Sequence, residues 1–389
     1  MREIGVVEDA SVFIEDGFIR WIGPAGDVST NLTDDATIFD ASAYVALPGF
    51  VDAHTHMVFA GSREDEFAKR AEGISYQQIA AEGGGILSTV RATRAASKKE
   101  LKKAAVRRLD QMLKHGTTTV EIKSGYGLNE ETEIKMLEAI RELSDEHLMT
   151  IAPTFLGAHA IPPEYAERRE GYIELICDRM LPYIARRKLA RFCDVFCEEG
   201  YFTVSEARLI LEKAMSLGLE PKLHADEFTA IGGTPLAATL NATSVDHLEH
   251  ITSEGIEVLM NSDTVPVLLP GVSFFLKNPY APARRLIDAG LPVAIATDFN
   301  PGSCMSFSMP LMMTIACTQM RMTPEEAITA TTLNAAAALG LSSKVGSIEI
   351  GKEADIILYD VPNYRFLAYH FGINHVAHVI KHGVMLEFP

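Results

Sequence analysis

The sequence predicts an α/β protein, a (β/α)₈ TIM-like barrel with a small composite β-sandwich module formed by both chain termini. Three observations lead there. Between residues 50 and 297, eight short β-branched or apolar runs alternate with longer segments of helical periodicity, the pattern of successive βαβ units. Outside that stretch the chain returns to short strands joined by turns. Histidines and carboxylates recur at the carboxyl ends of the runs, the edge where such a barrel gathers its chemistry.

The barrel strands are expected at Phe50–Met57, Thr117–Ile122, Thr150–Leu156, Arg191–Cys197, Glu220–Ala225, Ser244–Leu248, Thr264–Leu269 and Pro292–Thr297. Helices are expected at Lys98–Lys114, Glu130–Leu143, Glu164–Ala185 and Val204–Ser216, each rich in helix formers with apolar residues at helical spacing. Pro182 is expected to kink or end the third of these early, because proline lacks an N–H and its ring clashes with the preceding turn. Terminal strands are expected at Ser11–Ile14 and Phe18–Ile22 around the turn Glu15-Asp16-Gly17, and at Asp355–Tyr359 and Ala377–Lys381 with His382-Gly383 as a turn. Residues 1–49 and 345–389 are thus assigned to the β module and residues 50–344 to the barrel.

Composition supports one large enzyme-sized unit. The 389 residues are 47% hydrophobic and 22% charged, and a barrel uses roughly 250 residues, which leaves too few for a second large domain. Lys and Arg number 35 against 52 Asp and Glu, a net charge of −17 with no basic block. Nucleic acid and anionic membranes are therefore poor partners, and an anionic substrate would need a local cation. No apolar run of about 18 residues occurs, and the start Met1-Arg2-Glu3-Ile4 lacks the apolar stretch of a secretory signal, so a cytoplasmic protein is expected. The odd set Cys177, Cys193, Cys197, Cys304 and Cys317 argues for reduced thiols. Cys193 and Cys197 share a strand face, and a buried structural role is preferred over metal binding.

The strongest chemical signal is His54-Thr55-His56 near the end of the first barrel strand. Side chains at i and i+2 of a strand point the same way, roughly 7 Å apart at the backbone, so two imidazoles can converge on one metal. His159, His224, His247 and Asp298 fall at the ends of the third, fifth, sixth and eighth strands. Each could be an ordinary hydrogen-bonded polar residue, but all lie at one edge of the barrel. His54, His56, His224 and Asp298 would supply three nitrogens and one oxygen, a set that holds a catalytic divalent cation with a position left for water. Gly83-Gly84-Gly85 opens a loop and no phosphate cradle, because no Lys-Ser or Lys-Thr pair follows in register.

The segments "PGFVDAHTH", "KLHADEF" and "ATDFNPGS" resemble the first, fifth and eighth strand motifs of the amidohydrolase superfamily. Together with "FAGSREDEF", "AAEGGGI", "EIKSGYGL", "PTFLGAHAIPPEY", "DHLEH" and "VLLPG", they resemble the branch that opens the imidazolone ring in histidine breakdown, from about Gly17 to Gly383. The resemblance implies hydrolysis of 4-imidazolone-5-propanoate to N-formimidoyl-L-glutamate, one zinc or iron ion per chain and a homodimer. It implies metal ligation by His54, His56, His224 and Asp298, with Arg63, Tyr126, His159, Glu227, Asn300, Gly302 and Ser303 around the substrate. The segment before Glu8 is shorter than in that family, so a first strand of the β module is expected to be missing.

The residue chemistry agrees at several of these positions. Arg63 offers a planar fork suited to a carboxylate, although an arginine in a charged loop is commonly just solvated. The glycines beside Tyr126 allow an unusual turn. Glu227 lies three residues beyond His224 and can border the same cavity. His247 is a candidate donor to the attacked oxygen, whereas His250 is displaced from the matching position. Either Asp298 or Glu227 could carry the proton. Some superfamily members bridge two metals with a carboxylated lysine on the fourth strand; here Lys123 is on the second, so one metal is favoured. Two other readings share these features: a deaminase of heterocyclic amines, and a catalytically silent binding or assembly protein on the same barrel. The complete ligand set disfavours the second.

Overall fold

In the computed structural model, residues 1–388 are described apart from 30, 31, 33, 35, 75–77 and 79–82. The "AAEGGGI" segment therefore lies partly outside the described residues. The chain opens with β1 (Ala10–Glu15), β2 (Phe18–Pro24) and β3 (Val45–Pro48). A parallel series follows: β4 (Phe50–Asp52), β5 (Thr117–Lys123), β6 (Thr150–Ala158), β7 (Phe192–Cys197), β8 (Glu220–Ala225), β9 (Ser244–His247), β10 (Val265–Leu268) and β11 (Ala294–Ile295). The chain ends with β12 (Ile356–Tyr359), β13 (Val376–Lys381) and β14 (Val384–Leu386).

Strands β4 to β11 pair in sequence order as one eight-stranded sheet, as the alternating pattern predicts. The sheet closes between its first and last members. Asp298 N donates to His54 O at 3.0 Å, and His56 N donates to Phe299 O at 2.9 Å. The expected strand Phe50–Met57 ends its regular ladder at Asp52; beyond it His54 and His56 bond to the 298–299 backbone across the seam, while Thr55 O still accepts from Lys123 N on β5 at 2.9 Å. Buried Asp52 fastens the same seam, accepting from Thr297 N at 3.0 Å and Thr297 Oγ1 at 2.6 Å.

Helices pack outside the strands for reasons legible in their own sequence. In Lys98–Lys114, Ser97 and Glu100 form a capping box, and Leu101, Ala105, Leu109, Met112 and Leu113 make one buried face. Val204–Ser216 is capped in the same way by Thr203 and Glu206. The helix expected at Glu164–Ala185 begins at Arg169, after a 3₁₀ turn at Pro163–Tyr165, and Pro182 does not end it. A π turn at Ile176–Met180 widens the backbone just before Leu181–Arg187, which accommodates the missing N–H and the proline ring. Interior proline costs about 3 kcal/mol. Tyr172, Ile173, Ile176, Met180, Leu181 and Ile184 are all buried, at about 1.5–3 kcal/mol each, so continuing the helix is the better solution.

The termini meet as expected. β3 pairs antiparallel with β12, and the sheet order is β14-β13-β12-β3. The β1–β2 hairpin turns through Asp16 (φ 53°) and Gly17 (φ 82°), and packs Ile19, Val12 and Ile14 against Ala354, Ile356 and Leu358 in a second small core. No strand precedes β1 among the described residues. Cys193 and Cys197 are buried on β7 as expected, and burial raises both thiols, Cys197 to about 12.

Candidate metal centre

The strand ends bring the predicted ligands together. His54 and His56 put their ring centroids 5.4 Å apart, and that of His224, from β8, lies 4.5 Å from His54 and 6.0 Å from His56. Asp298 Oδ1 stands 3.5 Å from His54 Nε2 and 3.4 Å from His56 Nε2. Candidate ligand atoms of His54, His56 and His224 lie within 4.8 Å of one another, as do those of His54, His247 and Asp298. All are buried.

The tautomers follow from the outer contacts. His54 Nδ1 lies 2.6 Å from Asp246 Oδ2, and a carboxylate accepts, so Nδ1 carries the hydrogen and Nε2 presents its lone pair. His224 Nδ1 lies 3.0 Å from Asp194 Oδ2, close but not aligned as a hydrogen bond, while its backbone N donates to Asp194 Oδ1 at 3.2 Å. Burial, with Lys123 and the neighbouring imidazoles, holds His54 well below the ordinary histidine value. Burial likewise depresses His56, aided by His159 and His224. Neutral imidazole is the form that binds metal. His54 Nε2 and Asp298 Oδ1 are buried acceptors without a hydrogen-bond partner, and they face each other. Two acceptors turned inward without a donor fit a cation between them, and the three-nitrogen, one-oxygen donor set suits a divalent ion.

Other predicted residues surround this point. His159 stacks on His56 at 5.3 Å and 15°, with Nδ1 donating to Gly125 O at 3.0 Å; burial and His224 push its pKa down to about 3. Tyr126 is buried, with its ring 5.6 Å from His56 and 5.5 Å from His159. Gly125 has φ 111°, and a Cβ there would crowd His159 Nδ1 at 2.9 Å, so the turn before Tyr126 requires glycine. Glu227 Oε2 is 3.7 Å from His247 Nε2, and Glu249 Oε2 is 3.6 Å from His247 Nδ1. Burial raises Glu227 to about 8. Burial alone would lower His247, but Glu227 and Glu249 reverse that and raise it to about 10. Asp298 is raised by burial to about 6. His247 (φ 84°) and Leu248 (φ 70°) both hold left-handed backbone, strain placed at the site's edge.

Arg63 lies against Gly302, with Nε and Nη2 held by Glu66 Oε2 at 2.9 and 2.8 Å. Asn300 spends its side chain on its own turn: Nδ2 donates to Asp298 O and Ser303 Oγ, both at 2.7 Å, and Oδ1 accepts from Gly302 N and Ser303 N, both at 2.8 Å. His250 is exposed, in keeping with its displaced position.

The roles of several residues at the site were not anticipated. Glu133 accepts from the backbone N–H groups of Gly125, Gly127 and Leu128 and shapes the Tyr126 turn. Asp194, Asp246 and Glu249 stand behind three histidines, and Glu121, Lys123 and Lys222 fill the layer beneath. Their signal was charge at i and i+2 inside otherwise apolar strands, as in Glu121/Lys123 and Lys222/His224.

A parallel barrel with a histidine and carboxylate cluster at its carboxyl edge is an arrangement that could hold a metal ion, and the comparisons place it in a hydrolase family. The amidohydrolase family model matches residues 45–386, so the chain belongs to the amidohydrolase family. Imidazolonepropionase from Geobacillus kaustophilus is 49% identical over 98% of this chain and 91% of its own length. Imidazolonepropionase from Symbiobacterium thermophilum is 48% identical over 99% and 92%. At that identity and coverage, the branch within the family is that of the imidazolonepropionases. Among solved structures, an adenosine deaminase from Xanthomonas campestris with bound zinc superposes with a TM-score of 0.74 at 17% identity, over 98% of this chain and 89% of its own. That likeness speaks to the fold.

Proposed function

We propose that this chain hydrolyses 4-imidazolone-5-propanoate to N-formimidoyl-L-glutamate, with His54, His56, His224 and Asp298 holding one divalent cation. The observation that carries the reading is the inward-facing pair of partnerless acceptors, His54 Nε2 and Asp298 Oδ1, in a chain nearly half identical to imidazolonepropionases along its length. When bound, such a cation polarises a carbonyl and lowers the pKa of a coordinated water from about 15.7 toward roughly 7.

Water oxygen adds to the ring carbonyl carbon, the adjacent C–N bond breaks, and the departing ring nitrogen takes a proton. Glu227 Oε2 is assigned the proton transfer, because Asp298 Oδ1 belongs to the ligand set. Burial raises the Glu227 carboxyl, which favours its taking a proton. His247, held protonated between Glu227 and Glu249, donates to the developing oxyanion. Arg63, immobilised by Glu66, turns its remaining guanidinium edge to the propionate, beside Gly302 and Ser303. His159 and Tyr126 wall the ring, and Asn300 fixes the turn that presents Gly302 and Ser303.

Zinc or iron as the ion, a cytoplasmic location and a homodimer belong to this reading and draw support from family membership. So does the division into a barrel over residues 50–344 and a β module from 1–49 and 345–389. Among the described residues no helix is long and apolar enough to cross a membrane. The test is incubation of metal-loaded protein with imidazolone propionate: formimidoylglutamate without ammonia supports the reading, and ammonia released from a heterocyclic amine instead would favour a deaminase.

A further inference from the structure

Beneath the four donors the barrel holds a second layer of charge. Glu121, Lys123, Asp194, Lys222 and Asp246 are all fully buried. Lys123 Nζ stands 2.7 Å from Asp194 Oδ2, 3.0 Å from Glu121 Oε2 and 3.4 Å from Asp246 Oδ2. The two aspartate oxygens it meets are the same ones that meet the imidazoles, Asp194 Oδ2 toward His224 and Asp246 Oδ2 toward His54. Lys222 lies in the same layer with a different reach. Its Nζ meets Glu121 Oε2 at 2.9 Å and Ala53 O at 3.3 Å, neither of which touches a liganding imidazole.

Stability alone does not account for such a layer, since buried ion pairs are often replaced by apolar residues without loss. Geometry supplies another reason. A carboxylate turns broadly about its last side-chain bond, and each degree it turns re-aims the imidazole that donates to it. One ammonium hydrogen-bonded to Asp194 and ion-paired with Asp246 restrains two arms at once. We propose that Lys123 is a positioning residue for the cation site, a single ammonium that couples the carboxylate partners of His54 and His224 and fixes the two ring nitrogens at one mutual setting.

The inference rests on the metal-centre reading, so the wild-type protein is the first control. Zinc affinity is measured by competition with a chromophoric chelator, alongside thermal unfolding of the metal-free form. Two double variants are compared, Lys123→Met/Glu121→Gln and Lys222→Met/Glu121→Gln. Each removes one cation and one anion from the same buried layer, and because Lys123 acts on His54, His56 and Asp298 more closely than Lys222 does, charge alone would make the first variant bind a cation more tightly, opposite to the loss expected here. Only the first releases Asp194 and Asp246. It should lose roughly 10-fold or more in zinc affinity relative to the Lys222 pair, the usual scale for an outer partner of a metal-binding histidine. Should that variant not fold, Lys123→Gln/Glu121→Gln, whose amides hydrogen-bond in the same layer, takes its place with the same expectation. Equal zinc affinity in the two pair variants overturns the role of Lys123. Failure of wild-type protein to bind zinc overturns the metal-centre reading beneath it.

Discussion

The guanidinium of Arg63 rests directly on Gly302, so closely that a methyl group on that α-carbon would overlap its Nη1. Glu66 holds the opposite side of the same group. Position 302 therefore controls where Arg63 points. If Arg63 anchors the propionate, Gly302→Ala and Arg63→Ala should fail alike, each raising KM by roughly 10-fold or more, the scale of a lost charge-assisted hydrogen bond, with kcat changed less. Steady-state kinetics on metal-replete protein decides it. An unchanged KM in Arg63→Ala would move the carboxylate anchor elsewhere.

Glu227, beside His247, is proposed for proton transfer and not for holding the cation. Glu227→Gln keeps the shape and removes the basic oxygen, so kcat should fall by roughly 10²-fold or more while metal content stays at the wild-type level. Kinetics paired with elemental analysis reads both quantities. Near-normal kcat would pass the proton transfer to Asp298.

Away from the site, Glu326 makes a pH prediction. Its side chain is fully buried and accepts from both terminal nitrogens of Arg284, from Arg2 Nε and, through its capping box, from Thr323 N. Burial raises its pKa, but Arg284, the Thr323 amide and Arg2 outweigh burial and hold it at about 2, against 4.5 ordinarily. A depressed carboxyl contributes stability that is complete above the unfolded value and lost as pH falls toward the folded one. Glu326→Gln should therefore lower Tm at pH 7, and the gap to wild type should close as pH falls from about 4.5 toward 2. A gap that stays constant across that window would show that the carboxylate charge does not matter.

The proposed ligand set could be read from the sequence because its information is local. His54 and His56 are two residues apart on an extended segment, and His224 and Asp298 each end a recognisable strand. The strands themselves showed in the same way, save that Phe50–Met57 and Pro292–Thr297, the two that meet at the seam, were drawn too long, since only the barrel shows where their hydrogen bonds go. The layer beneath was hidden because its meaning lies between distant residues. Lys123 and Asp194 are 71 positions apart, and His54 and Asp246 are 192 apart. Taken singly, each is a charge in an apolar strand, and Lys123 was weighed only as a bridging metal ligand. Asn300 was hidden differently, because its side chain turns back on the loop that carries it. Pro182 could be read as a break from its own chemistry, but the π turn that absorbs it depends on the apolar face around it.

The central claim is one cation held by His54, His56, His224 and Asp298 and required for hydrolysis. Elemental analysis of purified protein, titrated against imidazolone propionate hydrolysis as metal is removed and restored, tests it most directly. The account predicts activity that rises in proportion to occupancy and saturates at one equivalent per chain, with occupancy and activity lost together in His224→Ala. Two equivalents per active chain, or full activity in metal-free protein, would contradict it.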